Sequence, residues 1–343
     1  KQPSILARNT NRLLKQFINP VKFRDKKTRK MNLPEGTDLI YSTGNLIQKE
    51  FPWVADCEHI TSFTGWSTHY LLKEKRYIEK TLSSRYCKCI MPWTEAGKQT
   101  ILKNLNCDGF MEKVQTVNLS VKSKSFKKEY NYGKIKLLYV TSANFPKDFY
   151  MKGGKVVFEV FERISEKYPN VELTVRSWVP EKIKRKYQKI KNLKIIDSII
   201  SWPEVEKLFQ EADIFFFPVH MTVGLAMLDA MSYELPVLTT DVWANKEMII
   251  DNKNGLLVNP SKLVPYYTQD FIPNWRSKEY NKAVLKADQE FSKEVYNKLI
   301  KLIENKNLRR RMGGEGRKMI EKGKFSTKTR NKNLKRIYDS SLI

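Results

Sequence analysis

The stretch HMTVGLAMLDAMSYELPVLTTD, residues 220–241, sets one acid, Asp229, among Met227, Leu228, Ala230 and Met231. A solvated carboxylate rarely interrupts so apolar a helical run, which points to a ligand. The run follows the strand-like DIFFFPV (213–219), so Thr222, Val223, Gly224 and Leu225 fall at a helix start. Free backbone N–H groups there favour an anion, typically phosphate. Asp229, about one and a half turns further on, is placed to accept from ribose hydroxyls and is favoured as a carboxylate by the helix dipole. A second candidate is VTSANFPKDFYMKGG (140–154), where Lys152, Gly153 and Gly154 open another helix. A lysine beside permissive backbone can hold a diphosphate as a point charge. Glu247, in NKEMII beyond Asp241, suits either a helix cap or a hydrogen bond to a sugar. Near the amino terminus ADCEHI ends a strand with Asp56, Glu58 and His59, of which Glu58 and His59 could serve in acid–base chemistry. His69 and His220 are the only other histidines, so no metal-ligand cluster is expected.

The elements that must position these residues follow from periodicity. Strands are expected at IKLLYVT, VELTVRS (171–177), LKIID (193–197), DIFFFPV, LPVLTT (235–240) and GLLV (255–258). Between them KVVFEVFERISEKY (155–168) places Val157, Phe158, Phe161 and Ile164 on one helical face. SWPEVEKLFQEA (201–212) opens with the cap signal Ser201 followed by proline. Repeated strand–helix alternation predicts a parallel sheet covered on both faces, with ligands beyond the carboxyl ends of its strands. Residues 1–130 read as a smaller version of the same pattern. Its expected strands are DLIYSTG (38–44), WVADCEHI (53–60), CKCIMPW (87–93) and VQTVNL (114–119), and its expected helices span 66–84 and 94–106. The charged segment 120–134 reads as a linker. The expected organisation is therefore two doubly wound α/β domains facing a cleft, 1–130 and 131–325, followed by a tail helix, 326–343.

Bulk composition agrees with two domains, since 343 residues exceed one ordinary domain. There are 63 basic and 37 acidic residues, a net +26, which favours polyanionic partners such as anionic lipid or phosphorylated substrates. Nucleic acid is the other polyanion, but no RNA-recognition, helix-turn-helix or zinc-finger signature is present, and no nucleic-acid partner is expected. Cys57, Cys87, Cys89 and Cys107 form neither a zinc pattern nor a dense disulfide framework and read as reduced cytosolic thiols. No stretch is apolar for the length of a bilayer and no signal peptide is evident, so the chain is expected to be cytoplasmic or to lie on the inner membrane surface.

The run VGLAMLDAMSYELPVLTTDVWANKEMIIDNKNGLLV (223–258), preceded by LFQEADIFFFPV, resembles the donor-binding half of the retaining GT-B glycosyltransferases of family 4. The likeness extends through YVTSANFPKDFYMKGG and CKCIMPWTEAGKQTILKNL to the tail FSTKTRNKNLKRIYDSS. It implies a GT-B fold, with a C-terminal helix crossing back to a first domain that is abbreviated or truncated here. It also implies transfer of a sugar from a nucleotide-diphosphate sugar with retention, without a cofactor or metal. The implied acceptor is a glycan or a lipid-linked molecule, and the basic runs with RLLKQFINPVKF (12–23) suit an anionic membrane surface. By the same resemblance Lys152, Gly153 and residues 222–225 hold the diphosphate and Asp229 the ribose, and the acid resembling Glu247 is retained; together with the reading of the residues above, Lys152, Glu58 and His59 are the catalytic candidates. Two positions depart from the pattern. Met221 stands where the family has the first of two glutamates, and Ser142 or Ala143 where it has an arginine, a role that Lys147 could take from the same loop. These departures motivate a second expectation, a catalytically weakened homologue that binds a glycan or partner.

Overall fold

The computed structural model describes residues 19–126, 128–129, 133–143, 148–221, 224–265, 275 and 277–342. In chain order the first elements are α1 (Pro20–Arg29), β1 (Ile40–Thr43), β2 (Trp53–Cys57), α2 (Thr68–Lys73), α3 (Lys75–Ser83), β3 (Cys87–Pro92) and α4 (Glu95–Asn104). There follow β4 (Ile135–Val140), α5 (Asp148–Met151), α6 (Gly154–Lys167), β5 (Val171–Arg176), α7 (Glu181–Tyr187), β6 (Leu193–Ile196), α8 (Trp202–Glu211) and β7 (Ile214–Phe217). The last are α9 (Gly224–Ser232), β8 (Val237–Thr240), α10 (Asn245–Met248), β9 (Gly255–Val258), α11 (Lys278–Ala283), α12 (Gln289–Glu304), α13 (Lys306–Glu321) and α14 (Thr327–Ser341). The described residues up to Asn118 and from Asn331 onward form one compact unit, and those between Leu119 and Arg330 form the other.

The first unit is built on a parallel sheet of order β1-β2-β3. Side chains alternate across it, as the twofold period of a strand requires. Trp53, Ala55 and Cys57 of β2 enter one apolar cluster with Ile60, Phe63, Ile78, Leu82 and Ile101. Val54 faces the other way and meets Cys89, Met91, Val117 and Ile337 of α14, with Leu334 and Tyr338 packed around them. The tail helix thus supplies the apolar cover for this second face.

Two local expectations fail in this unit. VQTVNL is not a strand: Val114 makes a lone bridge to Ile90, and Gln115 and Val117 donate to Ile90 and Pro92. The segment runs beside β3 but does not hold a ladder, although its apolar alternation is that of a strand. The single helix expected over 66–84 is two, because Glu74 (φ −106°, ψ 15°) leaves helical geometry between α2 and α3. A helical hydrophobic period survives such a break, so the sequence pattern does not report it.

The second unit has a six-stranded parallel sheet of order β6-β5-β4-β7-β8-β9. All six strands lie where the sequence places them. β7 is buried at every residue, and Val157, Phe158, Phe161 and Ile164 of α6 are buried as their spacing requires. Ser201 and Glu204 form a reciprocal capping box at the start of α8. Beyond β9 the chain forms α11 and α12. The chain moves outward from β4 to β6 and then returns to place β7 on the other side of β4, so the order reverses between these two strands. Crevices at such switch points take ligands in open α/β sheets.

Ile337, 2% exposed, makes the tail helix part of the first unit's core. Ile337→Ala is expected to lower stability by about 2–4 kcal/mol in denaturant unfolding, whereas Lys335→Ala on the exposed side changes it by under about 0.5 kcal/mol.

Candidate functional site

The switch point brings two loops together, one after β4 and one after β7. The first begins at Thr141, whose hydroxyl meets Ser177 Oγ at 2.5 Å while its carbonyl accepts from Arg176 at 2.7 Å. Ser142 follows, half-buried. Lys147 lies outside the described residues, and the loop resumes at α5. Tyr139 Oη donates to the Lys152 carbonyl at 2.9 Å, and the His220 N–H donates to the Met151 carbonyl at 3.0 Å. Gly153 takes a left-handed conformation (φ 76°), and a Cβ on it would sit 1.9 Å from the Pro218 carbonyl oxygen. A Cβ on Gly154 would meet the Phe149 ring at 2.4 Å. The Lys-Gly-Gly signal thus has a steric basis, because only glycine lets the start of α6 sit on the end of β7.

Gly153 offers no side chain to cap α6, a helix of 14 residues, so its first-turn N–H groups are left for another acceptor. Lys152 lies just ahead of them with its side chain 11% exposed, and its Nζ pairs with Asp148 Oδ2 at 2.8 Å. A buried ammonium beside an uncapped helix start is a cationic position suited to phosphate.

The second loop leads into α9. Thr222 and Val223 lie outside the described residues. Gly224 is half-buried and Leu225 exposed, and a Cβ on Gly224 would touch Met248 Sδ at 3.4 Å, so α10 adjoins the start of α9. Asp229 is half-buried among apolar neighbours, and burial raises its carboxyl to about 6, against the pull of Lys124 and with the repulsion of Glu206. Among the described residues no group donates a hydrogen bond to its side chain. Nearby, Lys124 pairs with Glu206 at 2.5 Å, and Tyr233 Oη donates to the same oxygen at 2.8 Å. Sequence reasoning missed this pair. Lys124 was one base in a charged run, and nothing in the local pattern of α8 distinguished Glu206.

Glu247 is half-buried in α10, just beyond β8. Asn245 anchors that turn by donating to the Thr240 carbonyl at 2.9 Å, and Asn245 Oδ1 and Thr240 Oγ1 are buried acceptor atoms without a partner. Met221 packs against an apolar cluster of Met151, Val264, Tyr280, Ala283 and Val284, and Tyr280 Oη donates to the His220 carbonyl at 2.5 Å. The position that the resemblance expects to be acidic is therefore half-buried against apolar side chains from α11 and its surroundings.

Ser142, Lys152, Gly153, Gly224, Leu225, Asp229 and Glu247 all lie at the carboxyl end of the six-stranded sheet or on the helices that start there. Glu58 and His59 belong to the first unit, at the carboxyl end of β2. Glu58 is half-buried and accepts from Trp66 Nε1 at 3.3 Å. His59 is 2% exposed, with Nδ1 at 3.1 Å from Thr61 Oγ1. Beside them Asp56 is buried and accepts from Tyr41 Oη and Trp93 Nε1. Among the described residues no group of three or more His, Cys, Asp or Glu side chains could hold a metal ion.

Residues 135–268 match the family model described as Glycosyl transferases group 1. No curated protein matches the chain. Solved structures with the same arrangement include S. aureus TarM in complex with Fondaparinux, alpha-GlcNAc-glycerol and UDP, at 17% identity and a TM-score of 0.59 over 85% of this chain and 52% of that one. Anabaena Alr3699/HepE in complex with UDP and glucose is similar at 13% identity and a TM-score of 0.60, covering 88% and 78%. Sucrose-phosphate synthase from Thermosynechococcus elongatus gives 12% identity and a TM-score of 0.63, covering 89% and 73%. The chain spans about half the length of TarM. With two parallel α/β sheets and this likeness, the chain has the two-domain, Rossmann-like GT-B fold, and its second unit carries the match to the group 1 glycosyl transferases.

Proposed function

We propose that the protein is a glycosyltransferase that moves a sugar from a nucleotide-diphosphate donor, with UDP as the nucleotide, to a glycan or lipid-linked acceptor with retention of anomeric configuration. The observation that carries this reading is the convergence, at one switch point, of a helix start without a side-chain cap, a buried lysine and a carboxylate to which none of the described residues donates. These are three different demands of one ligand. Lys152 and the first turn of α6 offset the charge that grows on the leaving diphosphate, which is where electrostatic stabilisation accelerates transfer. Asp229 accepts from the ribose hydroxyls. Glu247 hydrogen-bonds the donor sugar, and Ser142 and Leu225 line the loops around it.

The reaction proceeds without a metal, since Lys152 and the helix start supply the positive field. Glu58, half-buried where His59 is buried, is the acid–base candidate of the first unit, and His59 holds the turn that presents it. The acceptor is met at the anionic inner face of a cytoplasmic membrane. The match over residues 135–268 supports the donor half of this reading, and the UDP complexes of the similar structures support the nucleotide.

Binding of UDP-glucose or UDP-N-acetylglucosamine to the full chain tests the reading. Asp229→Asn is expected to weaken donor binding at least tenfold in calorimetry, about the loss of one or two charge-assisted hydrogen bonds. The same substitution removes a poorly solvated charge. Because the native carboxyl is raised to about 6, the native state binds the extra proton first, and the penalty is fully present only above that pH. Asp229→Asn should therefore raise the stability of the free protein by about 1–3 kcal/mol at pH 8 and by less at pH 5. Donor affinity should fall as pH drops through about 6 in the parent and stay flat in the variant. Lys152→Ala is expected to lower kcat about 10²–10³-fold with a smaller change in KM. Donor affinity indifferent to both substitutions would overturn the proposal.

A further inference from the structure

Three aromatic side chains gather around the carboxyl end of β2 in the first unit, and a carboxylate from that strand end holds each of them. Asp56, buried, accepts from Tyr41 Oη on β1 and from Trp93 Nε1 just beyond β3. Glu58, two residues on, accepts from Trp66 Nε1 at 3.3 Å. Parallel pairing sets Thr43 beside Asp56 and Cys57 beside Pro92, so these groups share one end of one sheet.

Trp66 is held there in an unfavourable backbone conformation. The turn Ile60–Thr64 ends in Gly65 (φ 63°), which suits left-handed backbone, but Trp66 continues it at φ 62°, where a bulky residue rarely sits. Its N–H donates to the Thr61 carbonyl at 2.7 Å, and Thr64 Oγ1 donates to the Ser67 carbonyl at 2.8 Å, so the turn is fixed on both sides of the indole. Strain of this kind points to a side chain held for use. Trp66 is 36% exposed and Tyr41 44%. With Nε1 and Oη engaged, what the two side chains offer solvent is mainly aromatic carbon.

Aromatic carbon bordered by carboxylates suits one chemistry. A sugar ring can lay its apolar C–H face on an indole, where both surfaces leave water, while its hydroxyls donate to a nearby carboxylate. A phosphate or sulfate would meet Asp56 and Glu58 as like charges, despite the chain's net +26. An acyl chain could cover the rings, but it has no donor for Glu58.

We propose that this end of the first unit's sheet is a platform for an uncharged sugar. Trp66 lies against the sugar ring, Glu58 accepts from a hydroxyl, and Asp56 holds Tyr41 and Trp93 at the border. The assignment deepens the proposed function by making the recognised part of the acceptor a neutral saccharide, and it rests on that reading for the sugar's role as acceptor.

The full chain is titrated with neutral tetrasaccharides of glucose, N-acetylglucosamine, galactose and mannose, and with a sulfated glucose tetrasaccharide, using saturation-transfer NMR and tryptophan fluorescence. At least one neutral tetrasaccharide is expected to bind, and the sulfated one to bind more weakly. Trp66→Asn, whose side chain tolerates left-handed backbone, should weaken that binding about tenfold, and Trp66→Phe, which restores a ring, should recover part of it. Circular dichroism and melting confirm that both variants are folded. A parent that ignores all four neutral sugars, a preference for the sulfated one, or parent-like binding by Trp66→Asn overturns the assignment. UDP binding, measured on the same samples, separates the two readings. A parent that binds UDP but no neutral sugar refutes the platform and leaves the donor reading standing, whereas sugar binding lost in Trp66→Asn without any UDP binding upholds the platform and removes the glycosyltransferase reading.

Discussion

The approach of Gly153 to the Pro218 carbonyl is the contact on which the second unit's site depends. It sets the start of α6 against the end of β7, where strand order reverses, and a side chain at Gly153 would overlap that oxygen. Because the cap position is glycine, no side chain there caps the first-turn N–H groups, which suits them to a ligand. The Lys152 carbonyl is held by Tyr139 from within β4, which fixes the backbone while the buried ammonium pairs with Asp148.

From this contact the remaining groups take their places. The loop after β7 is clamped by the Met151 carbonyl on one side and by Tyr280 Oη on the other, and Met221 is drawn into the apolar cluster around Tyr280. An acid at that position would be half-buried against apolar side chains, which disfavours its charged form. The apolar residue is thus consistent with its surroundings, and polar recognition shifts to Asp229 and Glu247. Asp229 illustrates the cost of such a group. Burial raises its carboxyl to about 6, and among the described residues no donor supports the charge, so a group so placed trades stability of the free protein for readiness to bind.

Much of this could be read directly from the residues. Continuous apolar runs such as DIFFFPV announced strands buried on both faces, and all six strands of the larger sheet lie where that pattern placed them. The GG pair and the acid inside α9 were visible because each breaks a local rule, one of conformation and one of solvation. Features that obey local rules were not visible. VQTVNL alternates like a strand yet makes only part of a ladder, and the break at Glu74 leaves the helical period intact on both sides. Lys124 and Glu206 looked like ordinary surface charges because their meaning comes from a pairing across 82 residues.

The amino-acid sequence by itself determined the alternation of strands and helices, the parallel sheets and the identity of the groups able to bind an anion and a sugar, since all of these follow from periodicity and side-chain chemistry. Only the tertiary structure decided which groups meet. Strand order around β4 and β7 brings residues 152 and 229 to one end of one sheet, the tail helix covers the first unit's second face with Ile337, and the cluster around α11 packs against Met221. These are contacts between segments distant in the chain, and local periodicity carries no information about which distant face will bury it.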